Sequence, residues 1–141
     1  MHVLLNQQRG FASKAMLETF IEFTFEAAHT TPPYPHPHGH TFKAQVILTG
    51  TPDPYYGWSH DFRDVEPVVE EVRKELDHKY LNDIEGLSMP TLENVTRWIW
   101  HRLDGRIAGL DRVVLRRGAD GHAEGCSYRG AGQTFPAAAA G

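Results

Sequence analysis

Three histidines fall close together in this chain: His29, which ends an apolar run, then His38 and His40 in His38-Gly39-His40. A catalytic zinc ion is held by three protein ligands and keeps a fourth position for water or substrate. His38 and His40 stand at i and i+2, so on an extended strand both rings leave one face with backbones about 6.6 Å apart and can converge on one ion. Gly39 between them removes side-chain bulk. His36 continues the series as a rival ligand. On a straight strand it lies about 13 Å from His40, too far for both rings to reach one ion. The third ligand therefore comes from another segment, and a turn through Thr30 to Pro37 would bring His29 back. The competing reading of this His-Pro tract is a solvated loop or an adventitious metal binder.

A second pair with chemical potential is Asp77-His78. A carboxylate beside an imidazole lets the ring hold its charge and deliver a proton, as a general acid must. The plain alternative is a histidine that complements the dipole at a helix C-terminus.

These residues need elements to position them. The chain has 141 residues, 40% hydrophobic and 23% charged, enough for one domain with a sizeable core. A formal charge of −4 gives no hint of a nucleic-acid surface. No run approaches the length of a membrane span. The single cysteine, Cys126, rules out an internal disulfide and fits a reducing compartment. Residues 1–15 lack a signal-peptide pattern, so the expected location is cytoplasmic.

Residues 1–15 read as a polar tail, and Leu17 to Ala28 as a strand rich in Phe, Ile and Thr. Thr30 to Pro37 holds four prolines and is predicted as a bend that cannot pair as a central strand. His40 to Gly50 resumes alternation, with Phe42, Ala44, Val46 and Leu48 on one face. Asp64 reads as the N-cap of a helix carrying Val65, Val68, Val69, Val72 and Leu76 and ending near Asp77. Pro90-Thr91 opens a second helix with Val95, Trp98, Ile99 and Leu103 on its buried stripe. Asp111 to Arg117 and Ala123 to Tyr128 are the last strands, joined by Gly118 to Gly121; residues 131–141 read as a low-complexity, disordered tail. The order ββααββ places the chain in the α+β class.

The blocks FTFEAAH, HGHTF, GWSHDF, LDHKYLND, PTLEN and CSYRG, in this order, resemble the 6-pyruvoyltetrahydropterin and 6-carboxytetrahydropterin synthase family over about residues 16–130. The resemblance implies a tunnelling fold: a four-stranded antiparallel sheet with two helices on one face, trimers closing into a barrel, and two trimers stacking as a homohexamer. It also implies zinc on His29, His38 and His40, catalytic roles for Asp77 and His78, and a substrate pocket that includes Thr91 and Glu93. Asn94 caps or packs, and Cys126 matches a non-catalytic position.

Two positions depart from the family's pattern. Where its catalytic cysteine would lie, four residues before His38, this chain has Tyr34, and a phenol with an ordinary pKa near 10 is a poor base at neutral pH. His36 is the nearest substitute. Where the family anchors the pterin with a glutamate, the strand alignment puts Arg117, whose guanidinium cannot accept the pterin's hydrogen bonds and suits a carboxylate or phosphate. Asp120 or Glu124 would have to replace that acceptor. The expectation is therefore a zinc-dependent lyase or cyclase that acts on a small carbonyl or polyhydroxylated substrate other than the usual pterin, by an amine-aldehyde condensation or a retro-aldol step. The alternatives are a genuine 6-carboxytetrahydropterin synthase acting on dihydroneopterin triphosphate, with His36 or water replacing the cysteine, and a non-catalytic zinc-binding assembly protein.

Overall fold

A computed structural model describes residues 16–119 and 121–131. The tail expected at 1–15, nearly all of that expected at 131–141, and Asp120 lie outside the described residues. The chain runs β1 (Leu17–Thr31), β2 (Tyr34–Gly50), α1 (Phe62–Leu76), β3 (Lys79–Tyr80), a 3-10 turn (Leu81–Asp83), α2 (Leu92–Leu103), β4 (Leu110–Ala119) and β5 (His122–Tyr128). The sheet order is β3-β1-β2-β4-β5. The four long strands are antiparallel, as the ββααββ order predicts. A short addition was not expected: β3 joins β1 in parallel, through Ala27↔Lys79 and Ala28↔Tyr80.

Alternation along the strands builds one apolar face from Phe23, Phe25 and Ala27 of β1, Phe42, Ala44, Val46 and Leu48 of β2, and Val113 and Leu115 of β4. Both helices cover that face, α1 through Val65, Val69, Val72 and Leu76 and α2 through Val95, Ile99 and Leu103. Each such side chain contributes roughly 1.5–3 kcal/mol on burial, so the sheet is a rigid platform. The opposite face mixes Phe20, Ile47 and Val114 with ion pairs such as Lys43–Glu22 and Arg112–Glu18.

The Pro-rich segment differs from the predicted bend. β1 and β2 continue through it as a hairpin, with Thr31↔Tyr34 flanking a two-residue turn at Pro32-Pro33. Prolines are tolerated here because β4 pairs with β2 only from Phe42 onward, which leaves residues 34–41 one open edge where a missing N–H costs no ladder bond. The first helix also starts earlier than Asp64. Asp61 is its N-cap, accepting from the Arg63 N–H at 3.0 Å, and Asp64 lies in the first turn. The second helix opens at Pro90-Thr91 as expected, with Thr91 as its N-cap.

Candidate active site

Toward one end the apolar face of the sheet outruns its helices, and polar residues replace apolar ones in the same alternation. His29 follows Ala27 on β1, His38 and His40 precede Phe42 on β2, and Arg117 follows Leu115 on β4. The register His29↔His38 and Ala27↔His40 sets the three imidazoles edge to face, with centroids 4.5, 5.1 and 4.8 Å apart. One nitrogen from each ring lies within 4.8 Å of the others. A Cβ at Gly39 would meet only the Ala27 carbonyl, at 3.5 Å, so the expected need for a bulk-free residue between the two histidines is not a tight one.

The protonation pattern suits a metal. His29 is fully buried and its Nδ1 donates to the Pro90 carbonyl at 2.9 Å, which turns Nε2 toward His38 Nε2 at 2.9 Å. A ligating histidine commonly donates its other ring N–H in this way. His40 Nε2 is buried with no hydrogen-bond partner, an orphan that a metal ion would satisfy. Burial pushes the pKa of both His29 and His40 below 6.5, and the nearby Arg117 charge adds to the effect. Both rings are therefore held neutral, as ligands must be. These three residues fit a zinc ion.

A cleft of about 470 Å³ opens beside the imidazoles, lined by Tyr34, His36, His38, His40, Arg117 and Glu124, among others. The Tyr34 ring stands 5.8 Å from that of His38, and both Tyr34 and His36 are exposed. Arg117 faces Glu124 directly across the β4–β5 ladder and donates to it at 3.3 Å. Gly118 helps fix that register: its φ is +114°, and a Cβ there would lie 2.4 Å from the His122 carbonyl oxygen.

Asp77 and His78 sit at the end of α1, on the β3 side. His78 has φ 60°, an uncommon conformation for a residue with a side chain. Its N–H donates to the Glu26 carbonyl at 2.6 Å, and its Nδ1 meets Asp77 Oδ2 at 2.9 Å. The Glu26 backbone N–H, followed by His78, holds the Asp77 carboxyl below its usual range, so it stays ionised. His78 borders a second cleft of about 480 Å³ with Glu26, Ala28 and Gly39. His40 borders both clefts.

The substrate residues expected from sequence divide. Arg117 joins the imidazoles, whereas Thr91 and Glu93 line a separate cleft of about 510 Å³ with Asn94, Arg97, Cys126 and Tyr128. The Thr91 hydroxyl accepts from the Asn94 N–H at 3.2 Å as the cap of α2. Size is no guide to the chemistry: a larger cleft, about 640 Å³ around Lys74 and Trp98, contains none of these groups. Sequence reading missed the Pro90 carbonyl, a backbone acceptor with no side-chain signature, and Tyr80 and Asn82 within the LDHKYLND block.

This constellation on a sheet covered by two helices has relatives. The family model described as 6-pyruvoyl tetrahydropterin synthase matches residues 18–130, and the chain belongs to that family. It is 38% identical over 100 residues to the dihydroneopterin monophosphate aldolase of Pyrococcus furiosus, covering 67% of this chain and 84% of that protein. It is 36% identical over 104 residues to the 6-carboxy-5,6,7,8-tetrahydropterin synthase of Synechocystis, covering 67% and 81%. The 6-pyruvoyl tetrahydropterin synthase structure from Caenorhabditis elegans superposes with a TM-score of 0.72 at 21% identity, over 82% of this chain and 96% of that one, and shares the fold. Among the described residues no helix is long and apolar enough to cross a membrane.

Proposed function

We propose that this protein is a zinc-dependent lyase acting on the phosphorylated side chain of a dihydropterin, by retro-aldol cleavage. The expectation of a substrate unrelated to pterins gives way, because the curated relatives described above are named for pterin chemistry. The observation that carries the reading is the cleft that sets the three-imidazole cluster beside a cation and a carboxylate, Arg117 and Glu124.

Zinc, when bound by His29, His38 and His40, supplies a Lewis acid that polarises a substrate oxygen. The Glu124 carboxylate can accept the N–H groups of a pterin, the task for which Arg117 is unsuited, and Arg117 either steadies Glu124 or takes a phosphate. Retro-aldol cleavage requires a proton to leave a side-chain hydroxyl, the carbon-carbon bond to break, and a proton to reach the carbon left on the ring. His78, held by an ionised Asp77, is the proton carrier for these transfers, and no step needs a thiolate. Tyr34 in the cysteine's place is then no obstacle. The family resemblance supports a homohexamer, two stacked trimers, with light scattering as the check on assembly.

A second reading, 6-carboxytetrahydropterin synthesis from dihydroneopterin triphosphate, is favoured by the Synechocystis relative and by His36 in the same cleft, where a base would replace the cysteine. Incubating the zinc-loaded protein with dihydroneopterin mono- and triphosphate and separating the pterins by chromatography distinguishes them. A 6-hydroxymethyl product supports the aldolase and a 6-carboxy product the synthase. Neither substrate being consumed would overturn both.

A further inference from the structure

We infer that Asn82 is a positioning residue for the metal site, whose side-chain amide stands in for a missing stretch of β-strand and so fixes His29. The inference rests on the zinc reading above. Thr30 sits at an irregularity in the ladder, where the register with β2 jumps from His29↔His38 to Thr31↔Tyr34. On its other side the parallel pairing with β3 stops at Ala28↔Tyr80. Two places further along that ladder Thr30 would stand beside residue 82, but the chain there has already turned into the 3-10 turn Leu81–Asp83. Backbone groups left unpaired at this point would let the strand end move.

The Asn82 amide fills the gap with both of its ends. Its Oδ1 accepts from the Thr30 N–H at 2.9 Å, and its Nδ2 donates to the Thr30 carbonyl at 2.9 Å. This is the donor-acceptor pair a strand would offer, and an amide supplies both halves where an ionised carboxylate only accepts. The Nδ2 group also lies 3.5 Å from the Ser88 carbonyl, two residues before Pro90. Pro90 is the residue whose carbonyl holds the His29 ring. One side chain thus ties the backbone next to His29 and reaches toward the loop that supplies the ring's acceptor. The Tyr80 hydroxyl adds one contact, 2.6 Å from Thr30 Oγ1.

Outer-shell partners of a ligand commonly cost 10- to 100-fold in metal affinity when removed. Asn82→Ala should therefore weaken zinc about 10- to 100-fold in a competition with a chromophoric chelator. Asn82→Asp, which keeps the acceptor but sets a carboxylate against the Thr30 carbonyl, should weaken it by a similar factor, and Tyr80→Phe by less. In the wild type the His29 Nδ1 proton should exchange slowly with solvent, and this protection should be lost in both Asn82 variants. Measurements are made where circular dichroism shows each variant folded; if Asn82→Ala does not fold, Asn82→Asp carries the test. Zinc affinity within twofold of wild type, with the Nδ1 proton still protected, would overturn the inference even if the melting temperature fell. Failure of the wild type itself to bind zinc would instead defeat the metal reading.

Discussion

The clustered histidines His29, His38 and His40 and the lone His78 sit in opposite surroundings. His29, His38 and His40 are fixed by cross-strand register, and His29 is fully buried, tied to a backbone carbonyl and held neutral. His78 rides on the end of a helix with its side chain 80% exposed, a left-handed backbone and an ionised carboxylate beside it. On the proposed function the difference follows from what each would have to do. A metal ligand must keep a lone pair aimed at one point, which burial and a second hydrogen bond achieve. A proton carrier must meet the substrate and change its charge, which needs access to solvent and a partner that stays charged.

The largest expected effect lies on the buried side. His29→Ala and His38→Ala should each reduce zinc from about one per chain to near none, measured by elemental analysis, whereas His36→Ala should keep it. Retention of full zinc by His38→Ala would break the contrast.

On the exposed side, His78→Gly should lower turnover by on the order of 10² to 10⁴ while leaving zinc in place. The same change removes a side chain from a left-handed position, so it should raise stability by about 1 kcal/mol, read from denaturant unfolding. A variant that lost both metal and stability would show that the two regions are one unit.

Acid should also separate them. Above pH 6.5 the buried imidazoles are neutral in both the folded and the unfolded zinc-free chain, so they impose no cost. As pH falls below 6.5 the unfolded chain takes up their protons first, and stability falls with it. Asp77 works lower: its folded pKa lies below 3.8, so its contribution is present above 3.8 and is lost as pH falls through the folded value. Unfolding midpoints of the zinc-free protein between pH 8 and pH 3 should therefore show the His29 and His40 penalty in the wild type but not in the double alanine variant, if that variant folds.

The smallest effect concerns Thr91, which sequence reading put in the substrate pocket and which caps α2. Thr91→Ala should cost about 1 kcal/mol of stability. A change confined to KM would favour the pocket role over the cap.

Much of this contrast was legible in the chain. Phe42, Ala44, Val46 and Leu48 marked the core face by period two, and the same period carried His38 and His40 onto it. The i+2 spacing and the reach of one strand were enough to set His36 apart from the three imidazoles that cluster. Other features depended on partners far along the chain. The prolines of the hairpin were read as a bend because the open edge that tolerates them depends on where β4 stops pairing. Arg117, read alone, argued against a pterin. Opposite Glu124 it becomes half of a pair, and that register depends on the turn at Gly118. The Pro90 carbonyl and the Asn82 clamp follow from tertiary placement of backbone groups, which composition and period do not encode.

Zinc-edge X-ray absorption on the purified protein tests the metal site most directly. Three imidazole nitrogens and one further light atom at about 2.0–2.1 Å are expected, with the spectrum unchanged in His36→Ala and lost in His29→Ala. A sulfur in the first shell, or a spectrum that follows His36 instead of His29, would contradict the assignment of the buried triad as the metal site.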